Sequence, residues 1–251
     1  MNRLKDRLGV GEVCLGLLVS MPSVPLVQLA ARSGLDWLFI DMEHGPIGIE
    51  SAHAMVAATQ GTDCTPVIRT PHAETWLSQP ALDSGAFGIV HPMINDRASA
   101  EAAVRSQNYP PDGARGVGPF YAASRFGLTV PDYLEAANDS VLCVVQIEHK
   151  DAVANIDEIL AVSGIDVVFI APFDLSMSLG VPGQRDHPDV VAAIARAEEH
   201  ILAAGLPMGG LAGSPEQAKA MIERGYRMLL VAIDVGLIQS GIAAAMEGIR
   251  R

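Results

Sequence analysis

Short apolar segments recur along the chain, and amphipathic stretches lie between them. The apolar segments span residues 13–20, 37–41, 65–70, 88–93, 141–148, 167–172, 207–212 and 228–234. Helical spacing occurs at residues 24–33, 150–162 and 214–225. The last of these begins with Ser214 and Pro215 and ends at Gly225, which are typical helix boundary residues. Near-continuous apolar strands that alternate with helices predict a parallel sheet covered on both faces.

Eight strand–helix units in 251 residues match the size and count of a (β/α)8 TIM barrel. A doubly wound open sheet is the alternative, but it usually has fewer strands, and the chain has no G-x-G-x-x-G turn. Residues 108–127 break the alternation and are rich in Gly, Pro, Arg and aromatic residues. They predict either a binding loop or a packed crossover at a subunit contact. We expect one domain over residues 1–251.

The charge balance narrows the classes of partner. The net charge is −12, from 17 basic and 29 acidic side chains, which argues against nucleic acid or an anionic membrane. No apolar run reaches membrane-spanning length, and Glu12 interrupts the apolar stretch near the N-terminus. The three cysteines, at positions 14, 64 and 143, predict buried free thiols. Together these features favour a cytoplasmic protein.

Polar residues collect where the predicted strands end, which is where a (β/α)8 barrel carries its active site. They are Asp41, Glu43, His44, Arg69, Gln146, Glu148 and Asp174. Gln146 and Glu148 are two residues apart and therefore point to the same face of their strand. A single carboxylate at such a position more often caps a helix or lies in a solvated turn. Their joint occurrence predicts an active site.

Glu148 and Asp174 offer only oxygen ligands. Two carboxylates with room for water and substrate suit Mg²⁺ or Mn²⁺ better than a tetrahedral zinc site, and Co²⁺ could substitute. Asp174 could equally cap the turn that begins at its own position. Leu211, at the end of the seventh strand, is a candidate substrate contact. His91 could reach substrate or could be a packed, hydrogen-bonded strand histidine.

Five motifs carry a resemblance to a known family. They are DMEHGP, VIRT, YPPDGARGVG, VVQIE and FIAPFDLSMSLG, within a similarity that runs from about residue 10 to about residue 240. The chain resembles the class II pyruvate-dependent aldolases of the HpcH/HpaI aldolase/citrate lyase family. The resemblance implies a (β/α)8 barrel of the phosphoenolpyruvate/pyruvate type, a last helix swapped between subunits, and a homotrimer or homohexamer. It also implies metal-dependent cleavage of a 4-hydroxy-2-oxo acid to pyruvate and an aldehyde.

The same resemblance implies roles for individual residues. It gives His44 as the general base, Arg69 as the group that stabilises transition-state charge, and Gln146 as a substrate contact. It gives Glu148 and Asp174 as metal ligands, and the backbone N–H groups of Phe173 and Asp174 as the site for the pyruvate carboxylate. It gives Asp83 as an aspartate that makes the histidine more basic. Asp83 follows a helix on the opposite rim of the barrel, so its contact with His44 would cross a subunit interface. It could instead be a helix C-terminal residue. Phe173 replaces the alanine usual in the family.

Several other functions are alternatives to this reaction. A lysine Schiff base is the competing aldolase chemistry, but Lys5, Lys150 and Lys219 are poorly placed for a barrel interior. A CoA-ester lyase would share the barrel and the metal, yet no basic cluster for the CoA phosphates is evident. Decarboxylation of oxaloacetate could accompany the aldolase reaction. A non-catalytic binding module is disfavoured by the complete set of acid, base and metal residues.

Overall fold

Eight parallel strands close into a barrel in their order along the chain, in a computed structural model that describes residues 2–249. The strands are β1 Cys14–Val19, β2 Trp37–Asp41, β3 Thr65–Arg69, β4 Gly88–His91, β5 Leu142–Ile147, β6 Val167–Ile170, β7 Met208–Leu211 and β8 Tyr226–Ile233. All eight predicted strands are present, and the closed barrel confirms the predicted (β/α)8 class.

One helix precedes β1, and the others follow the strands around the outside of the barrel. They are α1 Arg3–Gly9, α2 Val24–Ala30, α3 Ile49–Ala58, α4 Thr75–Asp83, α5 Arg97–Gln107, α6 Phe120–Phe126, α7 Val130–Ser140, α8 Lys150–Ala154, α9 Ile156–Leu160, α10 Pro172–Ser178, α11 Pro188–Ala203, α12 Pro215–Glu223 and α13 Asp234–Met246. In α12 the Ser214 side chain accepts a hydrogen bond from Gln217 N, and Pro215 lies in the first turn, as predicted.

The core has an inner and an outer part, as the alternation of side chains along each strand requires. Inside the barrel, Phe39 contacts Trp37 and Phe169 with 6.1 Å between ring centroids in both pairs. Outside it, two larger apolar clusters lie between the strands and the helices. The inner cluster fills the barrel below the C-terminal ends of its strands.

The seam between the first and last strands is closed by Asp234, the first residue of α13. Its buried carboxylate accepts hydrogen bonds from Ser20 N at 2.9 Å, Ser20 Oγ at 2.8 Å and Met21 N at 2.9 Å. These bonds fix the segment after β1 against the end of β8.

Two sequence predictions need correction. Residues 150–162 do not form one helix, because α8 and α9 are separated at Asn155, whose Nδ2 donates to Asn95 O at 2.9 Å. Residues 108–127 are not wholly irregular, because they contain α6.

The remainder of the 108–127 segment folds around the buried guanidinium of Arg115. That group donates to Asp83 Oδ1 at 2.7 Å and lies 4.5 Å from the centroid of the Tyr109 ring. Gly113 is required nearby, since a Cβ there would lie 2.1 Å from Asn108 O. This part of the segment is therefore a packed crossover.

Two further expectations can be compared with the structure. The cysteines at positions 14, 64 and 143 are all free and buried, as predicted. Burial raises the pKa of the Cys64 thiol to about 12. Among residues 2–249, no helix combines the length and the apolar composition that crossing a bilayer demands.

Candidate active site

A buried ion pair joins the ends of β2 and β3. Arg69 donates from Nε to Asp41 Oδ1 at 2.9 Å and from Nη2 to Asp41 Oδ2 at 2.7 Å. Burial alone would raise the Asp41 pKa, but the hydrogen bond and the charge of Arg69 hold that pKa below its usual value. The guanidinium carbon also lies 5.0 Å from the centroid of the Phe39 ring. Arg69 is thus fixed on several sides at the mouth of the barrel.

The ion pair continues into a hydrogen-bonded network that reaches β5. Arg69 Nη1 donates to Gln146 Oε1 at 3.4 Å, and Gln146 Nε2 donates to Glu148 Oε2 at 3.0 Å. The second bond confirms that the side chains of residues 146 and 148 share one face. The network orients the Gln146 amide, because its oxygen faces the cation and its nitrogen faces the carboxylate.

Glu148 is a buried carboxylate with little compensation for its charge. Burial raises its pKa to about 7, and the negative charges of Glu43 and Asp174 add to the rise. Its other oxygen, Oε1, accepts a 2.6 Å hydrogen bond from the backbone N–H of Met93. Met93 has a φ of 55°, a left-handed conformation that is uncommon for a residue other than glycine. A nearby cation would relieve the repulsion among these carboxylates.

The residues present fit a hard divalent cation. The two proposed carboxylate ligands lie near each other, because the charge of Asp174 contributes to the raised pKa of Glu148. Among residues 2–249 there is no group of three or more His, Cys, Asp or Glu residues suited to hold a metal. A two-carboxylate site is compatible with Mg²⁺, which usually keeps several waters and takes one or two carboxylates together with substrate oxygens.

His44 lies in the turn after β2, at the rim of the barrel. Its side chain is 64% exposed, and its Nε2 lies 3.8 Å from Glu43 Oε2. The turn is anchored because Asp41 Oδ1 accepts hydrogen bonds from Glu43 N at 3.0 Å and His44 N at 3.3 Å. The next residue must be glycine, since a Cβ on Gly45 would lie 2.4 Å from Asp41 O and 2.7 Å from Ser20 O. The D-x-E-H-G motif therefore fixes the backbone of the turn that carries His44.

A cavity of about 570 Å³ opens at this end of the barrel. Six residues predicted for the site line it, namely His44, Arg69, Gln146, Phe173, Asp174 and Leu211. Glu148 does not line the cavity itself, but it accepts a hydrogen bond from Gln146, which does. The structure therefore brings together seven of the eight predicted site residues.

The first turn of α10 presents unpaired backbone donors at the same cavity. Among the described residues, the N–H groups of Phe173 and Asp174 have no hydrogen-bond acceptor, and no side chain caps this helix. Free N–H groups at a helix start favour anionic groups. Asp174 is the third residue of α10, so the alternative that it caps its own turn is wrong; the N-cap is Ala171.

Asp83 is the predicted site residue that lies away from the cavity and its network. It ends α4, and its carboxylate accepts a hydrogen bond from Arg115; among residues 2–249 it has no contact with His44. Burial raises the pKa of Asp83, and Arg115 opposes the rise. Within one chain this aspartate holds the crossover segment in place, and its predicted effect on His44 stays a prediction.

Other candidates are also placed by the structure. His91 is fully buried, and its Nε2 lies 3.1 Å from Gln107 Oε1. It is therefore the packed, hydrogen-bonded strand histidine of the second alternative, and it lies outside the barrel. None of the three lysines lines the cavity; Lys5 Nζ bonds to Val141 O near the start of β5.

Sequence reasoning missed two contributors to the site and the pairing partner of a third, Asp41. Asp41 was noted at a strand end, but its pairing with Arg69 depends on the register of β2 and β3. The Met93 N–H is a backbone group with no signal in the residue type. Arg185 lines the cavity from the loop between α10 and α11, with its guanidinium carbon 4.6 Å from the centroid of the Phe173 ring.

The fold and the site define a class of enzyme: a (β/α)8-barrel lyase with carboxylates, an arginine and a histidine at the C-terminal ends of its strands. The chain belongs to the HpcH/HpaI aldolase/citrate lyase family, whose model matches residues 15–240. This finding confirms the resemblance seen in the sequence motifs.

Named relatives match over nearly the whole chain. The hydroxypyruvate/pyruvate aldolase of Roseobacter denitrificans is 38% identical over 241 residues, which cover 95% of this chain and 93% of that protein. The 2-keto-3-deoxy-L-rhamnonate aldolase of Escherichia coli K12 is 39% identical over 242 residues, covering 96% and 90%. A crystal structure of an HpcH/HpaI aldolase/citrate lyase family protein from Burkholderia cenocepacia has a TM-score of 0.94, 36% identity and full coverage of both chains.

Proposed function

We propose that this protein is a metal-dependent class II aldolase, a carbon–carbon lyase that reversibly cleaves a 4-hydroxy-2-oxo acid to pyruvate and an aldehyde. The observation that carries the proposal is the network from Asp41 through Arg69 and Gln146 to Glu148, beside a cavity that also holds His44. The network and the cavity together bring a fixed cation, a buried carboxylate and an exposed imidazole to the same end of the barrel.

The relatives support this reaction class. Two of them, at 38% and 39% identity over almost the entire chain, are named aldolases of hydroxypyruvate/pyruvate and of 2-keto-3-deoxy-L-rhamnonate. Both names describe 2-oxo acid chemistry, for which the cavity offers the groups described above. The shared scaffold makes pyruvate, or a close 2-oxo acid, the proposed donor.

Glu148 and Asp174 would hold the metal, which we propose is Mg²⁺ or Mn²⁺, with Co²⁺ as a substitute. When bound, the ion would polarise the 2-oxo group and stabilise negative charge on its oxygen. Gln146 holds Glu148 in place through the 3.0 Å bond to Oε2 and also contacts the cavity. The raised pKa of Glu148 is the expected property of a carboxylate built to meet a cation.

The chain's own groups would bind and orient the 2-oxo acid. We propose that the free N–H groups of Phe173 and Asp174 bind its carboxylate, which their position at the start of α10 supports. Arg69 faces the cavity with its charge fixed by Asp41, so it can stabilise the pyruvate enolate as the C3–C4 bond breaks. A preorganised cation of this kind stabilises developing charge without reorganising at the moment of reaction.

His44 would take the proton from the C4 hydroxyl during cleavage and return it during addition. Its imidazole lies at the mouth, where an aldehyde can enter and leave. General base catalysis contributes about 10²- to 10⁴-fold to a rate. We propose that Leu211, which lines the same cavity, contacts the aldehyde portion.

The proposed reaction is tested with purified protein, pyruvate and a panel of aldehydes, with and without EDTA. We expect aldol products with Mg²⁺ or Mn²⁺, none after chelation, and recovery when the metal is restored. Exchange of the pyruvate methyl protons in D₂O should show the same metal dependence. Activity only on a CoA thioester, or loss of CO₂ from oxaloacetate without any aldol product, would contradict the proposal.

We further propose that the protein assembles as a homotrimer or homohexamer through α13. Only Asp234 of this helix is buried, and Val235, Leu237, Ile238 and Ile242 are exposed. On the barrel, the outward-facing Leu15 of β1 and Val231 of β8 are also exposed, as is Leu29 of α2. We propose that the exposed apolar side chains of α13 pack against this exposed surface of β1, β8 and α2 in a second copy.

Light scattering after size exclusion tests this assembly. The wild-type protein should give three or six times the chain mass, and Ile242→Asp should shift it toward the monomer. Val10→Asp, at an exposed apolar residue outside α13, serves as the matched control and should leave the mass unchanged. A monomeric wild-type protein would contradict the proposed assembly. In the assembled state, we propose that Asp83 approaches His44 of a neighbouring copy.

The three free, buried cysteines also suit a reducing compartment, in which thiols stay unpaired. We therefore propose a cytoplasmic location.

A further inference from the structure

The cavity is larger than the 2-oxo acid requires, and its far side carries unassigned charge. The carboxylate ligands and free N–H groups lie on one side, at β5 and at the start of α10. From there the cavity extends past Phe173 to Arg185, Asp186 and the first turn of α11 at Val191. An aldehyde bound beyond the C4 position would lie along this outer wall.

Three arginines line the cavity, and they differ in their partners. Arg69 is engaged by Asp41, and Arg224 forms a 2.8 Å ion pair with Glu198. The side chain of Arg185 has no ion pair and no hydrogen bond to any of the described residues. Its neighbour Asp186 lines the same cavity without pairing with it. Arg185 is therefore the cavity arginine whose donors remain available.

Arg185 is nevertheless held in place. Its guanidinium carbon lies 4.6 Å from the centroid of the Phe173 ring, a cation–π contact. Stacking uses the face of the guanidinium and leaves its N–H edge free, and that edge matches a carboxylate or a phosphate in two parallel hydrogen bonds.

The loop that carries Arg185 is tied to Phe173 through one buried hydroxyl. Ser176 Oγ donates to Phe173 O at 2.6 Å and accepts from Gly183 N at 2.9 Å. A further bond joins Arg185 N to Gly183 O at 3.0 Å. The ring and the cation are thus positioned by the same short helix, beside the predicted metal ligand Asp174.

We propose that Arg185, stacked on Phe173, binds a carboxylate or phosphate carried by the acceptor aldehyde, so that anionic acceptors are preferred over neutral ones. This inference rests on the proposed aldolase function. It names a specificity residue on the acceptor side, and it gives the phenylalanine at position 173 a purpose as the platform for the cation.

The test uses two matched pairs of aldehydes with pyruvate as donor. 4-Oxobutanoate is compared with butanal, and glyceraldehyde 3-phosphate with glyceraldehyde, so the carboxylate and the phosphate are assessed separately. The readout is the ratio of kcat/KM for the anionic member to that for the neutral member. For at least one pair, Arg185→Gln should lower this ratio roughly 10- to 100-fold, the range for a hydrogen bond to a charged group.

Two further variants sharpen the interpretation. Arg185→Lys keeps the charge but loses the planar fork, so its ratio should lie between those of wild type and Arg185→Gln. Arg196→Gln removes the same charge from an exposed position of α11 outside the cavity and should leave the ratio unchanged. An equal fall for both members of each pair, or the same change in Arg196→Gln, would overturn the proposal.

Failure of the aldolase function is recognised separately. A wild-type protein that neither forms aldols nor exchanges the methyl protons of pyruvate in D₂O lacks the proposed reaction. In that case calorimetric titration with inorganic phosphate tests the anion site directly. Binding by wild type that Arg185→Gln loses would support the site, whereas equal binding or no binding by both proteins would refute it.

Discussion

Asp41 and Arg69 lie directly opposite each other at the ends of β2 and β3, and their side chains form an ion pair with two hydrogen bonds. Both side chains are nearly inaccessible to solvent. Arg69 contacts the ring of Phe39 in the barrel core and the amide of Gln146, which lines the cavity. The ion pair therefore contributes to stability and to the site at once.

Asp41→Asn should reduce both properties. The substitution leaves the Arg69 charge buried with less compensation, which costs about 3 kcal/mol of unfolding free energy. Urea denaturation measures that loss, and the cleavage assay should show a parallel fall in kcat/KM. Asp63→Asn is the control, because Asp63 pairs with Arg3 on the surface and such pairs contribute about 1 kcal/mol or less. Equal effects of the two variants would contradict this account.

Glu148→Gln should weaken metal binding while leaving the fold intact. The amide keeps the shape of the side chain but removes the charge, and we expect Mn²⁺ affinity to fall by at least about 100-fold, the upper range for loss of an outer-shell partner. Titration followed by electron paramagnetic resonance measures this directly. His44→Ala is the matched variant and should lose cleavage activity with metal affinity near that of wild type. Unchanged Mn²⁺ binding by Glu148→Gln would remove this glutamate from the metal site.

Gly45→Ala should displace the turn that carries His44. Its new Cβ would lie 2.4 Å from a backbone oxygen, and overpacking of this kind costs about 1–3 kcal/mol. We expect a lower melting temperature and a lower kcat. Gly48→Ala, in the same loop, has no atom within 4 Å of its new Cβ and should behave like wild type. A fully active Gly45→Ala protein would show that the turn position is unimportant.

His91 should make stability depend on pH. Burial lowers its pKa from 6.5 to about 4, so between these values the unfolded chain binds a proton that the folded chain does not. The contribution of His91 to the free energy of unfolding is fully present above pH 6.5. It decreases as the pH falls toward 4 and is constant below that pH. The full loss is about 3 kcal/mol.

Urea denaturation from pH 4 to pH 7 tests the His91 prediction. His91→Gln should flatten the dependence in that window, although the substitution also changes packing and can lower stability at every pH. His72→Gln, at an exposed histidine, should retain the wild-type slope. An identical slope in His91→Gln and wild type would assign the dependence to other groups.

The sequence predicts the barrel well because buried parallel strands leave a local signal. Residues 37–41 are apolar up to Asp41, and β2 spans those same residues. The prediction at 150–162 is wrong for a reason that is not local. The helical spacing continues through Asn155, but its side chain bonds to Asn95 O on another segment and the helix is divided there.

The site was predictable as far as residue type and strand position carry information. His44, Arg69, Gln146 and Asp174 were identified in this way, and all four line the cavity. Arg185 was not identified, since its loop has no periodicity. Its proximity to Phe173 depends on two hydrogen bonds of Ser176 that only the folded chain makes.

The exposed apolar surface of α13 has a consequence for how the protein would be produced and handled. If a neighbouring copy covers that helix, association and folding become one equilibrium, and the melting temperature rises with total chain concentration. Dilution would then inactivate the enzyme without any change in solvent. A cell that makes little of this chain would hold a larger share of it as unpaired, aggregation-prone barrels.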